Sequence, residues 1–183
     1  MMAALTGLSL ALAMPWSPSR EQDLEYQFYA KSGGWEIDKS VKNDSCTAAA
    51  IYGDHAAVTI HWKPRDDSFI LFCEDDHIPA IKGGQTYEGS LGFLKNGGKT
   101  YDDGWGTIKF HGMSEDGKMP GLFFELAGKD ALRDFAASET IGLFYKDKLV
   151  FSLRLEGSAP MIAIVRRCGA EILAAHPADP FEE

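Results

Sequence analysis

The 183-residue chain has no cluster of basic side chains, and its 18 lysines and arginines are outnumbered by 27 acidic residues, which gives a formal net charge of −9. Nucleic acids and anionic membranes bind proteins through clustered positive charge. We therefore expect no nucleic-acid partner, and an unknown protein or a small-molecule ligand instead. With 45% apolar residues, the chain can bury a sizeable core as one folded domain.

The chain also lacks a run of about 20 apolar residues, the length that a membrane-spanning helix needs. Residues 1–13 are uncharged and end in Ala11-Leu12-Ala13, a small-x-small pattern typical of signal-peptide cleavage. We predict a signal peptide over residues 1–13, a linker over 14–33, and a periplasmic or secreted mature protein without an integral membrane segment. The alternative is that residues 1–13 form the first strand or helix of the fold itself.

Motifs that carry catalysis or cofactor binding are missing. The sequence has no G-x-S-x-G, H-E-x-x-H, G-x-G-x-x-G or Walker motif. Its densest group of potential metal ligands is Asp75-Asp76-His77, beside Cys73 and Glu74. Consecutive residues at a strand end point alternately to opposite faces, so this group is interpreted as a solvated turn. We predict no catalytic residue, no metal site and no cofactor.

Only three cysteines are present, Cys46, Cys73 and Cys168, which allow three different single disulfides. An exported protein is expected to form at least one of them. Closing the longest loop, from Cys46 to Cys168, would remove the most entropy from the unfolded chain, about 4–5 kcal/mol in the loop-closure model. The alternative is three buried thiols in a reducing compartment.

Alternating apolar and polar side chains predict a mainly antiparallel β fold, either a sandwich or a flattened barrel, over residues 34–175. One segment shows the pattern clearly, because Val58, Ile60 and Trp62 alternate with polar residues. The expected strands cover residues 35–39, 46–52, 57–63, 68–74, 86–93, 105–111, 121–126, 141–145 and 149–155. Residues 130–136 fit a short helix.

A second helix is predicted to follow the last strand and to pack on the sheet. Ser158 suits the N-cap position and Pro160 the first turn. Four apolar residues then follow at helical spacing, and these are Met161, Val165, Cys168 and Ile172. This stripe would press Cys168 against the sheet, which makes a bridge to Cys46 geometrically sensible. Residues 176–183 are expected to be a frayed tail.

Aromatic residues near the glycine-rich middle of the chain form the candidate ligand surface, namely Tyr87, Tyr101 and Trp105. Exposed aromatic rings are typical of platforms for carbohydrates or peptides. The competing interpretation is that these rings belong to the core.

The order of these segments resembles a known family. It is carried by Gly34-Trp35-Glu36-Ile37, Cys46, Ile141-Gly142-Leu143, and above all the stretch from Phe151 to Ile162 with Cys168. In this order the chain resembles small exported alphaproteobacterial proteins of the invasion-associated locus B type. The resemblance implies a periplasmic β-sandwich and supplies no catalytic residues.

Taken together, these features predict an exported periplasmic or envelope-associated binding or accessory protein without catalytic activity. One alternative is a hydrolase whose carboxylates meet only in the fold, for example Asp75, Asp76, Asp102 and Asp103. Another is an inhibitor or immunity-like protein that inserts a protruding loop, Gly97–Gly104, into a partner enzyme.

Overall fold

The computed structural model describes residues 25–53, 56–78, 81–95, 97–102, 105–113 and 120–175. The predicted signal peptide and the predicted tail lie outside these residues. Ten strands and two helices are present in the described part, in the order β1 (Gln27–Ser32), β2 (Trp35–Ser40), β3 (Ser45–Tyr52), β4 (Ala56–Lys63), β5 (Ser68–Asp75), β6 (Thr86–Lys95), β7 (Thr107–Met113), β8 (Gly121–Ala127), α1 (Gly128–Ala136), β9 (Ser138–Tyr145), β10 (Lys148–Arg154) and α2 (Ser158–Ala175).

All ten strands belong to one curled antiparallel sheet with the order β1-β2-β3-β4-β5-β8-β7-β6-β9-β10. The first five strands form a meander joined by short turns. The chain then passes to β6 and returns through β7 to β8, which pairs with β5. Strands β1 and β10 end the sheet. The predicted class, mainly antiparallel β with a C-terminal helix packed on it, is confirmed.

The structure corrects the predicted linker over residues 14–33. Strand β1 occupies Gln27–Ser32 and pairs with β2 through a tight turn at Gly33, whose φ of +59° favours glycine. The strand was not predicted because few of its side chains are buried, and an edge strand of this kind needs no strict alternation of apolar residues. Phe28, for example, is 62% exposed. The strand body therefore begins before residue 34.

One face of the sheet carries the core. On β4 the buried residues are Val58, Ile60 and Trp62, and on β5 they are Phe69, Leu71 and Cys73. This alternation follows from the pleat, which sends every second side chain to the same face. Helix α2 packs against β1, β2 and β3, while α1 packs against β5, β6, β8 and β9. The two helices also contact each other, and the Ser158 hydroxyl donates a hydrogen bond to the Phe135 carbonyl at 2.8 Å.

A disulfide joins helix α2 to the sheet. Of the three possible bridges, the structure contains Cys46–Cys168, with 6.3 Å between the Cα atoms and a sequence separation of 122. The apolar stripe predicted for the helix is buried, including Met161, Val165 and Ile172. A loop of this length removes about 4–5 kcal/mol of unfolded-state entropy in the loop-closure model. Cys73 is free and buried.

Next to the disulfide, the Trp62 side chain lies between two glycines. Trp62 is the cross-strand neighbour of Cys46. A Cβ atom on Gly169 of α2 would lie 2.3 Å from Trp62 Cζ3, and one on Gly128 would lie 2.7 Å from Trp62 Nε1. Only glycine lets both helices approach the indole this closely. Asp67 completes the start of α1, because its carbonyl accepts from Gly128 N at 2.7 Å and its carboxylate from Lys129 N at 2.9 Å.

We expect Gly169→Ala to destabilise the protein by about 1–3 kcal/mol, the usual cost of overpacking a core. The sign of the change in unfolding free energy is informative, because alanine has a higher helix propensity than glycine and would stabilise an unconstrained helix by about 1 kcal/mol. Urea unfolding measures the difference. Gly34→Ala is the control, since no atom lies within 4 Å of a Cβ there. Stabilisation by Gly169→Ala would contradict the packing of Trp62 on α2.

Candidate functional site

The three predicted surface aromatics have different surroundings. The Tyr87 ring stacks on Phe110 at 5.4 Å between centroids, and its hydroxyl accepts a hydrogen bond from Lys82 N at 3.1 Å. Tyr101 packs edge-on against Phe144 at 5.3 Å, over the space left by Gly142. Tyr87 also lines an apolar cavity that is described below, whereas Tyr101 lies over β9.

Trp105 belongs to a polar cluster that fastens α1 to β6. Its Nε1 donates to Asp134 at 2.9 Å, and Lys95 Nζ donates to the same carboxylate at 2.9 Å. Arg133 adds two longer hydrogen bonds at 3.2 and 3.3 Å. Asp134 is only 8% exposed. Burial alone would raise the pKa of Asp134, but the hydrogen bonds from Arg133, Lys95 and Trp105 outweigh it and hold the pKa below its ordinary value.

We expect Asp134→Asn to lower the free energy of unfolding at pH 7 by about 2 kcal/mol, because hydrogen bonds to a charged acceptor are lost. A depressed pKa in the folded state stabilises the protein fully above the ordinary aspartate pKa of about 3.9, and this contribution disappears as pH falls through the folded-state pKa. The variant should therefore lose less stability than the wild type on acidification below about pH 5.

Urea unfolding between pH 3 and pH 7 measures both effects. The matched control is Asp130→Asn, whose exposed ion pair with Arg133 is expected to contribute at most about 1 kcal/mol. Equal acid sensitivity in the Asp134→Asn variant and the wild type would show that this carboxylate does not titrate as described.

An apolar cavity of about 180 Å³ opens on the core side of the sheet, where residues of β6, β7, β8, β9 and β10 meet Ile78 and Ile81. Among the described residues, its wall contains only aliphatic and aromatic side chains, which are those of Ile78, Ile81, Tyr87, Phe110, Leu122, Tyr145, Val150 and Phe151. We call it the apolar cavity. Four of its eight lining residues are aromatic, so it presents ring faces and edges to any occupant.

The wall of the apolar cavity depends on a close backbone approach at Gly112. Gly112 N donates to Gln85 O at 2.9 Å and Gly84 N donates to Gly112 O at 3.0 Å. A Cβ on Gly112 would lie 2.2 Å from Ile81 Cγ2, so only glycine lets the 81–85 segment cross β7 here. Sequence reasoning missed this cavity. A glycine inside an otherwise regular strand was the available signal, since it often marks such an approach.

A second, polar cleft of about 530 Å³ lies where β9, β10 and the start of α2 meet. We call it the polar cleft. Its charged lining residues are Glu139, Arg154 and Glu156. The Glu139 carboxylate accepts a hydrogen bond from Gly97 N at 3.0 Å. Arg154 makes no hydrogen bond or ion pair with any other residue that the structure describes. The buried Ser138 hydroxyl also lacks a partner there.

Asp75, the last residue of β5, lies close to Asp76 and His77 of the following turn, with one potential ligand atom of each within 4.8 Å of the others. The predicted alternation of faces does not separate them, because the strand ends at Asp75. The His77 Nδ1 is 2.9 Å from Asp75 Oδ1. The hydrogen bond to Asp75 and the charges of Asp76 and Asp75 raise the pKa of His77. The polar atoms of these three side chains therefore interact with one another at the protein surface.

Among the described residues, the carboxylates of the hydrolase alternative line neither the apolar cavity nor the polar cleft. Asp75 ends β5 and Asp76 lies on the turn after it, whereas Asp102 accepts a hydrogen bond from Phe93 N at 3.0 Å; Asp103 lies outside the described residues. The buried Cys73 thiol has its pKa raised by burial and by Asp75 and Glu74, which makes it a poor nucleophile.

The loop of the inhibitor alternative folds back on the sheet over its described part. Gly97 N donates to Glu139, Gly98 N donates to Lys95 O at 2.8 Å, and Asp102 N donates to Phe93 O at 3.0 Å. These bonds join the loop to residues of β6 and β9 and hold it close to the sheet. Residue 103 and the final glycine of the predicted loop lie outside the described part of the chain.

Comparisons with known proteins return no match: no family model, no curated protein and no solved structure shows significant similarity to this chain. The resemblance to the invasion-associated locus B type therefore stays a prediction. Within the described residues, no helix combines the length and the apolar character needed to cross a membrane.

Proposed function

We propose that this chain is an exported, non-catalytic binding protein whose ligand site is the apolar cavity. The observation that carries the proposal is the cavity wall itself, which is concave, aromatic and free of charged side chains. Small-molecule sites in proteins are mostly apolar clefts with a few polar groups that orient the ligand. Tyr87, one of the three residues of the predicted ligand surface, lies in this wall.

The size of the cavity limits its occupant. An apolar cavity of about 150 Å³ is large enough to bind benzene, so a cavity of about 180 Å³ accepts one substituted ring or a short branched chain. Of its two hydroxyl groups, that of Tyr87 is engaged with Lys82 N. The Tyr145 hydroxyl makes no hydrogen bond to another described residue. It can therefore orient a ligand that carries one polar group.

The disulfide supports the exported location. Such bonds form and persist in oxidising compartments and are rare in the cytosol. Cys46 and Cys168 are both fully buried, so the bond is protected from solvent reductants. The acidic composition, with its net charge of −9, favours solubility and gives no electrostatic attraction to an anionic membrane surface.

The absence of catalytic machinery among the described residues of the cavity wall supports binding rather than turnover. No lining residue is a carboxylate, histidine, lysine, cysteine or serine, and the titratable groups of the wall are the hydroxyls of Tyr87 and Tyr145. General acid-base and nucleophilic catalysis most often use histidine, carboxylate, cysteine or serine side chains, so the composition of the wall favours binding.

We expect toluene to bind the apolar cavity and Val150→Trp to abolish that binding. Val150 lies at a register shift of the edge strand β10 and lines the cavity, so the larger side chain fills the space. The matched control is Leu149→Trp, because Leu149 is 49% exposed and does not line the cavity. Nuclear magnetic resonance titration of methyl signals measures binding. Unchanged toluene binding in the Val150→Trp variant would refute the assigned site.

We expect the full chain, expressed in a Gram-negative host, to be recovered in the periplasmic fraction with Cys46 and Cys168 oxidised. Deleting residues 1–13 should leave it in the cytoplasm with three reduced thiols, because the reducing pool prevents the bond from forming. Alkylation of denatured fractions followed by mass spectrometry counts the thiols. Cytoplasmic recovery of the full chain would contradict export.

A further inference from the structure

We infer that the open edge of β10 binds an extended peptide that ends in a free carboxylate and carries an apolar side chain three residues before its last residue. The inference rests on the proposed function, since the apolar side chain would enter the apolar cavity. Beyond the proposed function, it names a peptide as the class of partner and assigns the polar cleft as a second binding site.

The two cavities lie along one strand. Val150 and Phe151 of β10 line the apolar cavity, whereas Arg154, the last residue of β10, and the adjoining Leu155 line the polar cleft. Three residues of a strand separate Phe151 from Arg154, which corresponds to about 10 Å. A peptide running parallel to β10 therefore reaches both with a single short segment.

The edge of β10 offers backbone hydrogen bonds. Strand β10 ends the sheet and pairs only with β9 among the described residues. Leu155 N donates to Glu139 O at 2.8 Å, so its backbone faces the β9 side. Because successive backbone groups of a strand alternate in direction, those of Ser152 and Arg154 face the open edge. Adding a strand at such an edge is a common way to bind a peptide.

The Arg154 side chain gives the polar cleft one group that can bind a carboxylate. Arg154 has no partner in the described part of the chain, and a guanidinium matches a carboxylate with two parallel hydrogen bonds. The cleft also contains the first residues of α2, an 18-residue helix whose first turn holds no acidic side chain, and the positive end of a helix dipole favours an anion. Two carboxylates of the cleft oppose an anion: Glu139, which accepts a hydrogen bond from Gly97 N, and Glu156, which lies two residues before α2. Arg154 must therefore supply the recognition of the carboxylate.

The other sheet edge lacks this combination. Strand β1 is also terminal and exposes Phe28, but no β1 residue lines the apolar cavity or the polar cleft. A peptide on β1 would gain backbone hydrogen bonds without an anchor at either end. The position of bound peptide therefore distinguishes the two edges.

The test uses a fluorescein-labelled hexapeptide of alternating threonine and valine, with phenylalanine three residues before a free C-terminal residue. Fluorescence anisotropy measures its affinity, together with that of the C-terminal amide and of the peptide with alanine in place of phenylalanine. We expect the acid to bind about tenfold more tightly than the amide, a difference of about 1.4 kcal/mol, since hydrogen bonds to a charged acceptor are the stronger ones.

Substitutions in the protein assign each contact. Arg154→Gln should remove the preference for acid over amide, and Val150→Trp should remove the preference for phenylalanine over alanine. Glu156→Gln should strengthen binding of the acid. Ser152→Pro removes an edge N–H that β9 does not use and should weaken all peptides, while toluene binding reports that this variant is folded. The matched control is Lys148→Gln, an exposed cation at the start of β10, which should change nothing.

Backbone chemical shifts locate the peptide, and we expect changes along β10. Shifts confined to β1, or an Arg154→Gln variant that keeps the full acid preference, would overturn the inference. So would absence of peptide binding by a protein that still binds toluene, and that result leaves the proposed function intact. Absence of both peptide and toluene binding would overturn the inference and the proposed function together.

Discussion

The contact between α2 and the sheet at Trp62 and Cys46 is the constraint on which the rest of the structure depends. A curled sheet exposes an apolar inner face unless another element covers it, and α2 covers β1, β2 and β3. The disulfide fixes the position of the helix along the sheet. The paired glycines at 128 and 169 then let both helices press on one indole, so the two helices and β4 form a single packed unit.

Because the helices cover the sheet unequally, the molecule has a firmly packed part and an open part. The disulfide and Trp62 lie on β3, β4 and α2. The apolar cavity is lined by residues of strands β6 to β10 and by Ile78 and Ile81, and no helix residue contributes to it. Binding sites are commonly supported by a rigid scaffold while their own walls remain less covered. The cavity and the open edge of β10 occupy such a position.

Much of the fold could be predicted from the sequence because its signals are local. Alternation on β4 identifies the inner face, and the spacing of Met161, Val165 and Cys168 identifies the buried stripe of α2 that brings Cys168 to the sheet. The edge strand β1 gave no such signal, since Phe28 is exposed. Alternation of apolar residues in the sequence therefore identifies strands with one buried face, and it does not identify an exposed edge strand.

The candidate site could not be predicted, because it depends on contacts between distant residues. The apolar cavity requires the 81–85 segment to cross Gly112, and neither segment indicates the other in the sequence. Trp105 illustrates the same limit. It appeared as a surface aromatic, yet its indole donates to Asp134, 29 residues away. An aromatic residue in a glycine-rich loop does not show by itself whether its ring faces a ligand or a buried carboxylate.

The charge of the whole protein also bears on what the β10 edge can select. With a net charge of −9, the long-range field repels anions, and at physiological salt this field is screened beyond about 8 Å. A carboxylate is therefore favoured only once it reaches Arg154 and the start of α2, where direct hydrogen bonds replace the screened repulsion. Glu139 and Glu156 in the same cleft repel any anionic group, and this repulsion grows with each further negative charge on the ligand. The arrangement thus favours an otherwise uncharged segment whose single anionic group is its end, and whose remaining affinity comes from backbone pairing and one apolar side chain.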